Sequence, residues 1–342
     1  MTAHFESPTT SSAASITFRG LVGDIGGTNA RFAIAERDHG KTKLLNFKSF
    51  ETHGYPNIYA VIADYFRDLA GSEGGRPELD YAVLAVAGPV KNGQIKFTNL
   101  DWLVTEAELA KSSGARKSRL INDYAALAYA LPYMDGDDIK TLGPVTKGFG
   151  DVHAVMGAGT GFGASVLVGG AYGPYCLSTE SGHASWAPVN DFEADIHRFL
   201  RKKLGRVTIE NLLSGPGLVN LYQAVSFVRG EKALELTPAQ ITNIEGPDGQ
   251  GCRYTVETFL DILASVCGDL ALCHGATAGM FIAGGIAPRL LRFIDEGRFR
   301  ARMEAKAPLA DLVAAIPSHI ITHPCAALLG SAHALTDAEI TG

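Results

Sequence analysis

One pattern constrains this chain more than any other, because it occurs twice: an apolar strand, a cluster of glycines, and a second apolar strand. The first copy is LVGDIGGTNARFAIA (21–35) and the second is HAVMGAGTGFGASVLVGG (153–170). Short apolar runs on either side of a glycine turn read as β-hairpins. After the first copy come a strand at LLNFKSF and a helix at PNIYAVIADYFRDLA, where Ile58, Val61, Ile62, Tyr65, Phe66 and Leu69 share one face. YAVLAVA is continuously apolar, as in a buried strand. Thr105 and Glu108 form a capping box that opens the helix TEAELAKS, and a short strand SRLI leads into the helix NDYAALAYAL. The order is β-β-β-α-β-α-β-α. After the second copy, helices are expected at DFEADIHRFLRKKLG, NLLSGPGLVNLYQAV and TVETFLDILASVCGDLALCHGA. A strand at GMFIAGG, a helix from Ala287, a strand at HIIT and a last helix from Ala326 complete the chain. A repeat of this length predicts two similar α/β lobes with a cleft between them, and 342 residues suit two cores better than one.

Composition narrows the function classes. Thirty basic residues against 36 acidic ones give a formal charge of -6, which argues against a nucleic-acid backbone or an anionic membrane as the main partner. Five scattered cysteines without a Cys-x-x-Cys pair suit reduced thiols in the cytosol better than a disulfide framework or a structural zinc. No run approaches the roughly 18 apolar residues of a membrane span. Residues 1–15 have neither a basic start nor an apolar core and read as a disordered tail rather than an address.

Four places carry chemistry. The first is the loop Gly23-Asp24-Ile25-Gly26-Gly27-Thr28. It holds three glycines, an acid and a hydroxyl where a plain hairpin needs one Asn-Gly or Asp-Gly pair. Bare backbone N–H groups can approach phosphate oxygens, and an Asp can hold Mg²⁺ directly or through water. The second is Gly159-Thr160-Gly161. Gly159-x-Gly161-x-x-Ala164 matches a dinucleotide fingerprint, but that motif needs a helix after the glycines, and ASVLVGG reads as a strand. No Walker loop is present either, so any phosphate is held by glycine hairpins. The third is Asn122-Asp123, where an apolar strand ends and a helix begins. Polar residues there project to the ligand edge of an α/β sheet, though an Asp at a helix start also serves as an N-cap. The fourth is Glu180-Ser181-Gly182-His183 together with Glu210. Carboxylates and an imidazole suit a polyol, and they are also compatible with a metal, although no second His stands at helical spacing.

Taken together the motifs resemble the bacterial glucokinases, within the hexokinase, Hsp70 and actin superfamily. LVGDIGGTNARFAI and GAGTGFG look like the two phosphate motifs, FIAGGIAPR like the adenosine motif, and INDYAALAYALP like the segment with the catalytic aspartate. STESGHASWAP and ENLLSGPGLVNLY look like the sugar segments. The resemblance runs from about Leu21 to Gly330. It implies two ribonuclease-H-like α/β lobes of the actin/hexokinase type: a small lobe from 16–133 with 324–342, and a large lobe from 134–323. It implies transfer of the γ-phosphoryl group of ATP to the 6-hydroxyl of glucose, with Asp123 as general base. Asn122, Glu180, His183 and Glu210 would join Asp123 on the sugar. Gly23, Asp24, Ile25, Gly26, Gly27, Thr28, Gly159, Thr160 and Gly161 would hold the phosphates, Gly284 and Gly285 would lie under adenine and ribose, and Asp24 would serve Mg²⁺. A cytoplasmic homodimer is the family expectation. Ser181 departs from the pattern, which has a second glycine there. The cysteine cluster that binds zinc in the related repressor and sugar-kinase group is absent. An Hsp70-like or actin-like ATPase module, a kinase for another hexose, and a sugar-sensing regulator are the alternatives. The last would need a DNA-binding helix-turn-helix that residues 1–15 are too short to make.

Overall fold

A computed structural model describes residues 17–38, 41–73, 75–97, 100–170, 173–246 and 248–342; the tail expected at 1–15 lies outside the described residues. The first hairpin forms β1 (Phe18–Ile25) and β2 (Asn29–Asp38), in antiparallel register with Asp24 opposite Arg31. There follow β3 (Lys41–Glu51), α1 (Ile58–Glu73), β4 (Tyr81–Val86), β5 (Gln94–Lys96), β6 (Leu103–Thr105), α2 (Glu106–Ser113), β7 (Lys117–Asn122) and α3 (Asp123–Ala130). One five-stranded sheet results, ordered β3-β2-β1-β4-β7, with β1, β4 and β7 parallel. The small β5–β6 hairpin was not expected, since three-residue strands are too short to show a period. The capping box of α2 forms only by half. Thr105 Oγ1 accepts the Glu108 N–H, but the Thr105 N–H already donates to the Tyr59 hydroxyl at 3.0 Å.

The second hairpin repeats the plan. β8 (Ile139–Thr141) precedes it, and β9 (Val152–Ala158) and β10 (Phe162–Val168) pair antiparallel. Next come β11 (Tyr175–Thr179), α4 (Asp191–Leu204), α5 (Gly215–Val228), α6 (Pro238–Ile241), α7 (Gly249–His274), β12 (Gly279–Ala283), α8 (Glu296–Glu304), α9 (Ala310–Ala314) and β13 (Ser318–Ile321). The sheet order is β11-β10-β9-β12-β13-β8, with β9, β12 and β13 parallel, so β9, β10, β12 and β13 occupy the places of β1, β2, β4 and β7. Two helices start elsewhere than their apolar patterns suggest, because caps decide. Ser214 accepts the Gly217 N–H and begins α5 after the Asn211-Leu212-Leu213 turn, while Asp248 accepts the Gly251 N–H and begins α7 before its apolar stretch. The helix expected from Ala287 is a 3-10 segment, Ala287–Phe293, and the α-helix begins only at Glu296, capped by Asp295.

Two compact units emerge. One draws its described residues from Met1–Asp135, Tyr172–Cys176 and His323–Gly342, the other from Gly136–Ala171 and Leu177–Thr322. The chain thus ends back in the first unit with α10 (Ala326–His333) and α11 (Asp337–Thr341). Side chains alternate across the first sheet as strand geometry requires. Leu21, Ile25, Phe32, Ile34, Leu84 and Val86 pack with α1, while Val22, Ala33, Ala35, Val83 and Ala85 pack with α3 and α10. Small residues on the second face let α3 and α10 come close. The limiting contact is Gly330, where a Cβ would lie 1.6 Å from the carbonyl oxygen of Ala126. The second unit packs one large core, in which Phe259, Ile262 and Leu263 of α7 join Met156, Met280 and Ile282 of the sheet.

Gly330→Ala must therefore push two helix backbones apart, an overpacking cost of about 3 kcal/mol. Gly71, by contrast, sits in α1 with nothing within 4 Å of an added Cβ. Gly71→Ala should stabilise by up to about 1 kcal/mol through helix propensity. Urea unfolding of the two variants should move the midpoint in opposite directions.

Candidate functional site

In a parallel sheet the loops that leave the carboxyl ends of adjacent strands gather at one edge, and polar residues there meet ligands. In the first unit this edge collects the turn after β1 and the β7–α3 junction. Register places Asp24 beside Ala85 of β4, and Ala85 beside Ile121 of β7. The junction resolves what the sequence left open: the N-cap of α3 is Asn122, whose Oδ1 accepts from the N–H groups of Tyr124 and Ala125 at 2.9 and 3.3 Å. Asp123 is the first helical residue. Its Oδ1 accepts from Asn122 Nδ2 at 2.9 Å and from the Tyr124 N–H at 3.0 Å. Asn122 Nδ2 also donates to the Gly88 carbonyl, which ties the junction to the loop after β4. Burial is the main reason that the Asp123 carboxyl is pushed up to about 6. The Tyr124 N–H opposes the shift, and the negative charge of Asp24 adds to it. Burial raises Asp24 as well, against the pull of Arg31, whose Nη1 donates to Asp24 Oδ2 at 3.1 Å. Arg31 was read from the sequence only as part of the motif. Its place opposite Asp24 follows from hairpin register.

In the second unit, Gly159, Thr160 and Gly161 form the tip between β9 and β10, closed by the Gly159 N–H donating to Gly161 O at 2.8 Å. Glu180 precedes the 3-10 turn Ser181–His183, His183 ends it, and Glu210 lies in the segment before α5. Their side chains converge: His183 Nδ1 is 3.6 Å from Glu180 Oε2, and His183 Nε2 is 4.0 Å from Glu210 Oε1. Glu210 has a second task, because its Oε2 accepts the Phe162 N–H at 2.7 Å. That contact binds the sugar-type cluster to the base of the glycine tip. Gly284 and Gly285 leave β12 next to the end of β9, and the Ile286 N–H donates to Ala158 O at 3.3 Å.

The glycines of these loops fall into two kinds. Some are dictated by packing. A Cβ on Gly23 would sit 2.5 Å from Leu84, one on Gly157 2.0 Å from Ala283 O, one on Gly161 2.6 Å from Glu210, and one on Gly284 2.3 Å from Ala158 O. Others have room. Gly159 and Gly285 have nothing within 4 Å of an added Cβ, and Gly26 has only Asn29 O at 3.5 Å; all three have backbone conformations open to other residues. Nothing internal requires glycine there. Bare backbone turned to open space is what an approaching phosphate or base needs.

The Glucokinase family model matches residues 21–338. A glucokinase of Caulobacter sp. (strain K31) is 45% identical over 318 residues, covering 93% of this chain and 95% of its own. The crystal structure of a glucokinase from an Antarctic psychrotroph has a TM-score of 0.84 at 36% identity, over 93% of this chain and 98% of that one. A ROK family glucokinase from Streptomyces griseus, solved in complex with glucose and AMPPNP, shares the fold at a TM-score of 0.60 and 16% identity, over 95% and 100% of the two chains. A family match over almost the whole length, with a relative 45% identical over 93% of the chain, makes the chain a member of the glucokinase family.

Proposed function

We propose that the protein is a glucokinase, converting ATP and D-glucose into ADP and D-glucose 6-phosphate. The observation that carries the mechanism is Asp123. Capping of α3 falls to its neighbour Asn122, and burial leaves its carboxylate with a raised proton affinity. A carboxylate of that kind is suited to accept a hydroxyl proton at neutral pH. The 6-hydroxyl oxygen forms its bond to the γ-phosphorus as the bond from that phosphorus to the ADP oxygen breaks, and the hydroxyl proton passes to Asp123. Phosphoryl transfer asks for positioning and charge neutralisation more than for covalent help. Glu180, His183 and Glu210 hold sugar hydroxyls, the carboxylates accepting, while Asn122, whose amide hydrogens go to Asp123 and the Gly88 carbonyl, joins them by exchanging one of those bonds for a sugar hydroxyl. The tips around Gly26, Gly27 and Thr28 and around Gly159, Thr160 and Gly161 offer backbone N–H groups to the phosphates, while Gly284 packs against the end of β9 and Gly285 beside it leaves room for adenine and ribose.

Among the described residues no three His, Cys, Asp or Glu side chains gather to hold a metal by themselves. That suits Mg²⁺, which takes one or two carboxylates and completes its shell with nucleotide phosphates and water. Asp24, a half-buried carboxylate whose charge is felt at Asp123, is the residue that fits. When bound, Mg²⁺ would neutralise phosphate charge. The AMPPNP and glucose of the Streptomyces griseus complex support ATP and glucose as the substrates here. An ATPase module of the same fold would have no use for the Glu180, His183 and Glu210 cluster. The deciding experiment is a coupled assay of ADP release against a panel of hexoses. Turnover should require both glucose and Mg²⁺, and substantial hydrolysis without sugar would favour the ATPase module.

Two further outcomes follow. Asp123→Ala should lower kcat by about 10²–10⁴-fold while glucose affinity falls less. In the wild type, Asp123 must be ionised to accept a proton. As pH falls through about 6 it becomes protonated, so kcat/KM should drop on the acid side with an apparent pKa near 6. Near-normal turnover in the variant, or a flat profile down to the ordinary carboxylate range, would place the base elsewhere. The open space at Gly159 gives the second. Gly159→Val should melt like the wild type yet raise the KM for ATP tenfold or more, with glucose binding by calorimetry unchanged.

A further inference from the structure

The loop that carries Glu180 and His183 also holds Ser181, and the mechanism above gives that hydroxyl no task. Its hydrogen bonds can be traced in one direction only. Thr179 Oγ1 donates to the carbonyl of Ala164 in β10 at 3.0 Å. A hydroxyl has a single hydrogen, so toward Ser181 Oγ, 2.8 Å away, Thr179 can only accept, and Ser181 donates. The hydrogen of Ser181 is then spent. Its remaining contact, 3.1 Å to Nε2 of His274, must receive a hydrogen from the ring. The chain therefore runs from His274 Nε2–H to Ser181, to Thr179, to the Ala164 carbonyl. His274 is the last residue of α7, and its Nδ1 is buried with no hydrogen bond among the described residues. Burial also lowers its proton affinity, which favours the neutral ring, and the hydrogen-bond chain places its single hydrogen on Nε2.

This relay fixes the turn from two sides. The carbonyls of Glu180 and Ser181 accept the N–H groups of His183 and Ala184 at 3.0 Å each, so Ser181 sits inside the turn that sets both sugar-facing side chains. Gly182 fixes the third point: a Cβ there would lie 2.4 Å from Phe162 O, so the turn lies directly on β10. With glycine at 181, the Nε2–H of His274 and the acceptor of Thr179 would both lose their partner, and the turn would keep only its backbone bonds. Glu180 and His183 are largely exposed, at 72% and 58% of their side-chain surface, and have little packing of their own to hold them.

We propose that Ser181 and His274 are positioning residues: a one-way hydrogen-bond relay from the end of α7 to β10 that pre-orders Glu180 and His183 for the sugar. This rests on the reading of those two residues as sugar contacts. The relay touches neither nucleotide loop nor Asp123, so its loss should appear in glucose affinity alone. Ser181→Gly and His274→Ala should each raise the KM for glucose roughly fivefold, the scale of one net hydrogen bond, with kcat within twofold and the KM for ATP unchanged. His274→Gln places an amide N–H near the position of Nε2–H and should restore most of the glucose affinity. Independently of turnover, ¹⁵N NMR of the imidazole should show His274 as the neutral Nε2–H tautomer in the wild type. The proposal is overturned by an Nδ1–H tautomer, by an unchanged KM for glucose in both disrupting variants, or by His274→Gln behaving like His274→Ala. Absence of glucose-dependent turnover in the wild type would instead sink the kinase reading itself, so the two failures are told apart in one assay.

Discussion

Parallel strands deliver their following loops at the same edge, and this constraint organises each unit. β1, β4 and β7 lie side by side in matched register, so the glycine turn, the Gly88 loop and the Asn122–Asp123 junction open at one level of the sheet. The same holds for β9 and β12, whose ends bring the Gly159–Gly161 tip beside Gly284 and Gly285. The antiparallel second strand of each hairpin then holds its first strand from the other side. In the first unit it also supplies Arg31, the countercharge for Asp24. A chain that builds this plan twice gains two polar edges, each framed by packed strands, without needing a Walker loop or a dinucleotide helix.

Close packing and open backbone are both written as glycine, and the structure separates them. Gly23, Gly157, Gly161 and Gly284 are filled against their neighbours. They let the loops approach one another, and Gly161 leaves room for the Glu210 carboxylate that joins the glycine tip to His183. Gly26, Gly159 and Gly285 are unconstrained from inside, so the reason for a missing side chain lies outside the chain. The two kinds alternate along the same few residues. The packed ones set where the open ones stand.

Much of this was legible in the residues. The helix at 58–73 declares itself because six apolar side chains fall on one face, and all six are buried. The doubled hairpin gave the fold class because a strand–glycine–strand unit recurs with the same succession behind it. The misses have physical causes. β5, β6, β8 and β11 are three to five residues long and half exposed, too short to carry a period. The starts of α5 and α7 are set by Ser214 and Asp248, single capping bonds that outrank the apolar pattern. At the site, spacing placed Asn122 and Asp123 at a strand end, but which of them caps the helix depends on backbone angles. The relay through Ser181 was invisible because His274 lies 93 residues away.

The geometry around Asp123 also has a thermodynamic side. An unfolded Asp releases its proton near 3.8, whereas in the fold burial holds it to about 6. Between those values folding takes up a proton. The group's contribution to stability is therefore greatest below 3.8 and is lost as pH rises through 6. At neutral pH the fold keeps an ionised, desolvated carboxylate within the field of a second one at Asp24, a local cost that Arg31 and the Tyr124 N–H offset only in part. Packing alone would not select that arrangement, since an amide at 123 could meet the same Asn122 and Tyr124 contacts without carrying charge. The charge is kept where a hydroxyl proton needs an acceptor, and the surrounding helix cap and sheet register hold it there.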